Sequence, residues 1–188
     1  GPDMVEQGVH PELIEVVGEK IDLTYRKALH AEFINSDAIS AQSEMPIVYT
    51  SLHGTGVTHI PAVLKEMGFT KVHEVQEQAQ PDGNFPTVHS PNPEEKAALD
   101  LSLKLGDKVS AEIIMGTDPD ADRVGIAVRD RSGGMMLLNG NETCAILTYY
   151  LLDQLKEKGR LPDNGFVCRT IVTTELIDRI ATHFGVSC

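Results

Sequence analysis

One short stretch, in which a strand, an acidic turn and a second strand follow one another, constrains the fold most. The turn occupies residues 118–123 with the sequence DPDADR, and apolar segments lie on either side of it. Alternate residues of an extended segment point to the same side, so Asp118, Asp120 and Asp122 can converge on one cation. Carboxylate oxygens suit Mg²⁺ or Ca²⁺. The pattern therefore predicts a divalent-metal site at a strand end, and Arg123 beside it indicates a phosphate group.

Two other interpretations compete with a catalytic metal site. An EF-hand requires Gly at loop position six and Glu at position twelve, whereas counting from Asp118 these positions hold Arg123 and Arg129. The second is a solvated turn without a ligand, and it stays open. Three carboxylates between two apolar strands would nevertheless repel one another without a cation, which favours the metal site.

The string DPDADR resembles the metal-binding loop of the α-D-phosphohexomutase superfamily, which includes phosphoglucomutases and phosphomannomutases. Four further segments resemble that family in the same order: YTSLHGTG at 49–56, PDGNFP at 81–86, PNPE at 91–94 and LNGNE at 138–142. The resemblance covers most of the chain from about residue 12 onward. The sequences of these segments most resemble the phosphoglucomutase and phosphopentomutase branch of the family.

The resemblance and the alternation of strand and helix patterns predict an α/β fold. We expect a three-layer α/β/α domain with a mixed, mostly parallel sheet, followed by a partial second domain of the same kind. Residues 1–11 are expected to be a linker or the scar of a purification tag. Residues 12–134 would be the family's second, metal-binding domain, and residues 135–188 the first part of its third.

Apolar periodicity and capping residues predict the local structure. Helices are expected at 11–31 with an interruption allowed at Gly18, at 92–106 with Asn92 as N-cap, and at 141–158 with Asn141 as N-cap. Strands are expected at 46–51, 71–75, 112–115, 124–129, 135–138 and 167–173. A turn at residues 53–56, called here the glycine loop, should connect a strand to a helix.

The resemblance implies Mg²⁺-dependent phosphoryl transfer, with Mn²⁺ as a substitute metal and glucose 1,6-bisphosphate as the activator of the intact enzyme. Its expected reaction is the interconversion of glucose 1-phosphate and glucose 6-phosphate. Asp118, Asp120 and Asp122 would share the metal with a phosphoserine from the family's first domain. Arg123 would be catalytic and contact phosphate oxygens, although a neutralising salt bridge to the same aspartates is the alternative.

The family's phosphoserine loop, of the type TASHNP, is absent from these residues. The chain is therefore expected to be an inactive middle fragment, whose partners are a phosphorylated sugar and the missing first and fourth domains. The alternatives are a phosphomannomutase or phosphopentomutase, or a stand-alone cation-binding module. A phosphatase of the DxD type is disfavoured, because no nucleophilic aspartate follows the first strand.

His53 and Arg169 are weaker candidates for substrate binding. The glycine loop can offer backbone amides to a phosphate, or it can simply be a tight turn that needs glycine. His53 can equally be a hydrogen-bonded structural residue. Arg169 falls near a basic, substrate-facing position in some family members, and a salt bridge is its alternative.

Composition narrows the partners and the setting. The formal net charge of −12 argues against nucleic acid as a partner. No apolar run is long enough for a bilayer, so no membrane partner is expected. The three cysteines lack metal-ligand spacing, which favours a reduced, cytoplasmic setting.

Overall fold

The computed structural model describes residues 10–188, so the predicted linker or tag scar at 1–11 lies mostly outside the described residues. The chain divides into two compact units, one ending at Phe33 and the other spanning Ile34–Cys188. No helix within the described part is long and apolar enough to cross a membrane.

In the described part of the first unit, from residue 10 on, there is one α-helix, α1, at Gly18–His30, preceded by a short 3₁₀ turn at Pro11–Leu13. The prediction of a helix over 11–31 is therefore wrong for its first part. Gly18 has a φ of +57°, in the left-handed region, which a continuous right-handed helix does not tolerate. This glycine opens α1, so the chain before it does not extend the same helix, and the interruption that the sequence pattern allows at Gly18 is present.

The second unit is built on one five-stranded sheet. Its helices are α2 at Ser36–Ala41, α3 at Ile60–Met67, α4 at Asp100–Val109, α5 at Gly140–Glu157 and α6 at Leu176–Phe184, and its strands are β1 at Ile47–Thr50, β2 at Val72–Glu74, β3 at Ile113–Thr117, β4 at Val124–Arg129 and β5 at Met135–Leu138. The strand order is β2-β1-β3-β4-β5. β1 pairs in parallel with β2 and β3, while β4 is antiparallel to both β3 and β5. Only β4 runs against the rest, which confirms a mixed sheet with most strands in one direction.

Helices lie against both faces of the sheet. Val48, Ile114 and Ala127 sit side by side on three neighbouring strands, and leucines of α4 pack against them. Side chains alternate along a strand, so Tyr49 points to the opposite face, where Ile60 of α3 lines a cavity with it. Each fully buried aliphatic side chain of this core contributes about 1.5–3 kcal/mol.

A hairpin joins β4 to β5 across the predicted domain boundary at residue 134. The Asp130 carboxylate accepts hydrogen bonds from the Ser132 hydroxyl and the Gly134 amide, which lower its pKa. β5, which the sequence places in a separate third domain, thus belongs to the sheet of the preceding region. The division into 12–134 and 135–188 stays a prediction.

The predicted helix start at Asn92 is wrong, because α4 begins at Asp100. The Asn92 side chain instead accepts the Glu94 amide at 3.1 Å, which closes a local turn of the kind asparagine favours. Pro93 then packs directly against Gly125 of β4. A Cβ at Gly125 would overlap the carbonyl group of Pro93. A turn that docks on the sheet has replaced the first part of the predicted helix.

The cap of α5 is also two residues earlier than predicted. Asn139, not Asn141, accepts the Glu142 amide at 3.0 Å, and the Glu142 carboxylate accepts the Asn139 amide at 2.9 Å. This reciprocal arrangement is a capping box. Asn141 accepts the Thr174 amide instead, at 2.8 Å, and so ties the start of α5 to the segment before α6.

A second hydrophobic cluster joins α5 to α6. It consists of Leu152, Ala181, Phe184 and Val186. The strand predicted at 167–173 is wrong, because only Phe166 pairs with the final segment, at Ser187. Arg169 explains the difference: it donates to the carbonyls of Thr170 and Thr173 and holds the chain in a turn.

Candidate functional site

Two loops meet at one edge of the sheet. The glycine loop follows β1, and the acidic loop, residues 118–123, follows β3. Because β1 and β3 are parallel neighbours, their carboxyl ends lie side by side. This is the edge at which open α/β sheets bind their ligands.

The acidic loop brings its three carboxylates together. Asp118, Asp120 and Asp122 each offer an oxygen, and these oxygens lie within 4.8 Å of one another. Asp118 is only 1% exposed, whereas the other two are open to solvent. The structure therefore places one ligand candidate rigidly at the base of the site and two at its mouth, and their role as metal ligands stays a prediction.

Arg123 forms hydrogen bonds with the buried carboxylate of Asp118. Its amide donates to Asp118 Oδ1 at 3.0 Å and its Nε donates to Asp118 Oδ2 at 2.8 Å. Burial raises the pKa of Asp118, but the hydrogen bonds and charge of Arg123 outweigh it and hold that pKa below its usual value. The salt bridge that the sequence offered as an alternative for Arg123 is thus present, while 58% of the arginine side chain remains exposed.

Repulsion within the acidic loop acts on Asp122. The negative charges of Asp120 and Asp118 raise the pKa of Asp122 above its usual value, and Arg123 only partly compensates. The distance from Arg123 Nε to Asp122 Oδ1 is 3.7 Å, which is long for a strong hydrogen bond. One arginine therefore does not neutralise three carboxylates, and a divalent cation would complete the balance.

An unusual backbone conformation shapes this turn. Ala121 has a φ of +60°, although only glycine adopts this region without cost. Its amide donates to the Asp118 carbonyl at 3.0 Å and tightens the loop. Backbone strain of this kind is frequent at functional sites.

The side chain of His53, the first residue of the glycine loop, lies in a buried hydrogen-bond network. Its Nδ1 is 3.1 Å from the Gln80 carbonyl, which can only accept, so the proton sits on Nδ1. Its Nε2 then accepts from the Thr87 hydroxyl at 2.8 Å. Gln78, fully buried, links Thr87 to Thr50 through its side-chain amide. With both ring nitrogens bonded, His53 occupies the structural position that the sequence offered as the alternative, and its substrate role stays a prediction.

Arg169 lies outside the two-loop site. Its Nε and Nη2 donate to Asp178 Oδ2 at 2.7 and 2.6 Å, so Arg169 holds the start of α6. The hydrogen bond from Arg169 lowers the pKa of Asp178 below its usual value. The structure thus contains the salt bridge named as its alternative, and substrate binding by Arg169 stays a prediction.

Sequence reasoning missed Tyr49 and Thr117, whose hydroxyl groups lie 2.8 Å apart behind the acidic loop. Both are buried, and burial raises the pKa of Tyr49 to about 12, so its hydroxyl stays neutral. A cavity of about 300 Å³ beside them is also lined by Arg123 and Asp122. The only sequence signal for this pair was that each residue lies near the end of a predicted strand. The pairing register of β1 with β3 was needed to show that the two hydroxyl groups meet.

Known proteins match this chain over most of its length. The family described as phosphoglucomutase/phosphomannomutase, alpha/beta/alpha domain II matches residues 24–133. A phosphoglucomutase from Staphylococcus haemolyticus is 39% identical over 173 residues, which are 90% of this chain and 31% of that protein. A phosphoglucomutase from Staphylococcus aureus strain MRSA252 is 39% identical over 146 residues, or 77% of this chain and 26% of that protein. The chain thus spans less than a third of these relatives.

Solved structures agree on the fold. A Thermus thermophilus protein assigned as a phosphomannomutase superposes with a TM-score of 0.66 at 22% identity, over 89% of this chain and 35% of its own. A phosphoglucomutase/phosphomannomutase family protein from Burkholderia thailandensis gives a TM-score of 0.59 at 17% identity, over 92% of this chain and 38% of its own. At these identities the likeness supports the fold alone.

Proposed function

Because this chain belongs to the phosphoglucomutase/phosphomannomutase family, we propose that it carries the metal-binding part of an enzyme that interconverts glucose 1-phosphate and glucose 6-phosphate. The observation that carries the proposal is the convergence of three carboxylates beside one guanidinium at the ligand-binding edge of the sheet. The names of the staphylococcal relatives support glucose as the sugar. Since the chain covers only part of those relatives, the activity of the whole protein belongs to this proposal.

The acidic loop fits a hard divalent cation. Asp118, Asp120 and Asp122 supply oxygen ligands of the kind Mg²⁺ or Mn²⁺ takes, close enough together to share one ion. Mg²⁺ bound there would withdraw charge from phosphoryl oxygens and stabilise the transition state. Asp118 would fix the ion from below, while the exposed Asp120 and Asp122 leave one side open for an oxygen from outside this chain.

Arg123 would change partners during the reaction. At rest its guanidinium neutralises Asp118. A cation on the carboxylates would take over that neutralisation, and the exposed guanidinium could then bind phosphate oxygens through its parallel N–H donors. The same side chain would thus serve the empty site and the loaded site in turn.

A metal titration tests this proposal directly. Mn²⁺ is added to the purified chain, and free Mn²⁺ is followed by electron paramagnetic resonance. We expect one saturable site that Mg²⁺ competes for, and loss of that site in Asp120→Ala. Asp163→Ala is the matched control, because it removes the same charge from an exposed loop outside the acidic loop.

Each outcome bears on the proposal. Mn²⁺ binding that survives Asp120→Ala would place the ion elsewhere and overturn the site assignment. If the wild-type chain binds no Mn²⁺ even when a phosphomonoester is added to supply a phosphate oxygen as a further ligand, the acidic loop is a solvated turn without a metal.

A further inference from the structure

The glycine loop touches the acidic loop at its centre. The Thr55 amide donates to the Pro119 carbonyl at 2.8 Å, and the Thr55 hydroxyl donates to the same oxygen at 3.2 Å. Pro119 lies between Asp118 and Asp120 in the sequence. Thr55, in the loop after β1, therefore holds Pro119, which connects Asp118 to Asp120 in the loop after β3.

Gly54 allows this contact by having no side chain. A Cβ built at Gly54 would overlap the Cα and the carbonyl oxygen of Pro119. Both overlaps are with backbone, which cannot rotate away as a flexible side chain would. Gly54 thus sets the distance between the two loops.

Gly56 supports the same region from behind. A Cβ at Gly56 would overlap the Tyr49 hydroxyl and lie 2.6 Å from Thr117 Oγ1. These two hydroxyl groups are bonded to each other at 2.8 Å, and Thr117 directly precedes Asp118. The buried side of the acidic loop is therefore packed against the glycine loop as well.

Three of the four backbone amides of the glycine loop are already engaged within the protein. The His53 amide donates to the Gln78 carbonyl at 2.9 Å, the Gly54 amide to the Ser51 carbonyl at 2.8 Å, and the Thr55 amide to Pro119. A phosphate-binding loop needs such amides free and pointing outward. These three amides are committed to fixing the loop and its neighbour.

We infer that the glycine loop is a positioning element for the acidic loop, and that Gly54 and Thr55 are its positioning residues. Through Pro119 they hold Asp118 and Asp120 at the spacing that one cation requires. The metal part of this inference rests on the proposed function, whereas the contact between the loops stands on the geometry alone.

The test replaces Gly54 by alanine in the full chain and reads two quantities. Mn²⁺ affinity should fall about tenfold, because ligand groups must be held to a fraction of an ångström. Hydrogen–deuterium exchange of residues 118–123 should become faster, because the loop loses its support. Gly83→Ala is the matched control: a Cβ there meets nothing within 4 Å, so both quantities should stay at the wild-type value.

A milder pair of variants covers the case in which Gly54→Ala fails to fold. Thr55 is exposed, so Thr55→Val removes the hydroxyl bond to Pro119 at nearly constant volume, and Thr55→Ser restores it. We expect Thr55→Val to weaken Mn²⁺ binding and to speed loop exchange, and Thr55→Ser to recover both. If the Thr55 hydroxyl contributes only to stability, the unfolding temperature should change in Thr55→Val, and Thr55→Ser should not restore the Mn²⁺ affinity.

The two readouts separate this inference from the proposed function. If the wild-type chain binds no Mn²⁺ even with a phosphomonoester present, the metal proposal fails, while loop exchange still decides whether the glycine loop positions its neighbour. If folded Gly54→Ala and Thr55→Val both keep wild-type loop exchange and Mn²⁺ affinity, the positioning inference is wrong and the metal site stands without it.

Discussion

Arg123 contacts both carboxylate oxygens of Asp118, one through its amide and one through its guanidinium. Asp118 is buried, so without a partner its charge would carry a large desolvation cost. In the proposed site, a metal ion would meet the same need at the same carboxylate as the guanidinium. At the scale of single residues, the Arg123 guanidinium neutralises the buried Asp118 carboxylate when no metal ion is bound.

This competition predicts the effect of Arg123→Ala. Mn²⁺ affinity should rise about tenfold, since the ion no longer displaces a charged hydrogen bond. The metal-free variant should unfold at a lower temperature than the wild type, because Asp118 loses its partner, and Mn²⁺ should raise that temperature by more than in the wild type. Electron paramagnetic resonance and thermal unfolding with and without Mn²⁺ measure both effects.

Arg131→Ala provides the control for net charge. Arg131 lies in the hairpin turn after β4, at the opposite end of that strand from the acidic loop. It should leave Mn²⁺ affinity close to the wild-type value. A loss of metal binding in Arg123→Ala would instead mean that Arg123 builds the acidic loop and does not compete with the ion.

The convergence of the three carboxylates could be predicted from sequence, because alternate residues of an extended segment point to the same side. The burial of Asp118 and the positive φ of Ala121 could not, since both depend on how the loop packs. Gln78 was missed for a similar reason. A buried glutamine is costly unless it is bonded on all sides, and its partners Thr50 and Thr87 lie far apart in sequence.

At the scale of elements, strands were predicted better than helix starts. The bounds of β4 and β5 agree with the sequence pattern, because apolar runs ended by polar turns leave little choice. Asparagine was the misleading signal at 92 and at 141. Its side chain can cap a helix or close a local turn, and only the tertiary contacts of Pro93 and Thr174 select between these uses.

The capping box of α5 gives an element-scale prediction. Asn139→Ala removes the acceptor for the Glu142 amide and should lower the free energy of unfolding by about 1 kcal/mol. Amide exchange in the first turn of α5 should speed up at the same time, because the helix end frays. Urea denaturation and hydrogen–deuterium exchange measure the two effects.

Asn164→Ala is the matched control, an exposed loop asparagine outside every helix. It should change the free energy of unfolding by less than about 0.5 kcal/mol. Equal losses in the two variants would show that the α5 cap contributes nothing beyond the substitution itself.

At the scale of the whole molecule, the charge of the chain opposes the proposed substrate. The formal net charge is −12, and a sugar phosphate is itself an anion. Within roughly 10 Å, the screening length at 0.1 M salt, the acidic loop contributes three carboxylates against Arg123. A bound divalent cation would reverse this local balance, so metal and phosphate should help each other bind.

Mg²⁺ is therefore expected to strengthen binding of glucose 1-phosphate to this chain by about tenfold, the size of a 1.4 kcal/mol coupling. Glucose 1-phosphate should strengthen Mg²⁺ binding by the same factor, because coupling between two binding equilibria is reciprocal. A ³¹P NMR titration with and without Mg²⁺ measures the first factor, and competition of Mg²⁺ against Mn²⁺, with and without the sugar phosphate, measures the second. Asp120→Ala should abolish both factors, which separates the site from direct pairing of Mg²⁺ with the phosphate in solution. Equal phosphate affinity with and without Mg²⁺ in the wild-type chain would mean that the acidic loop and the phosphate do not share a site.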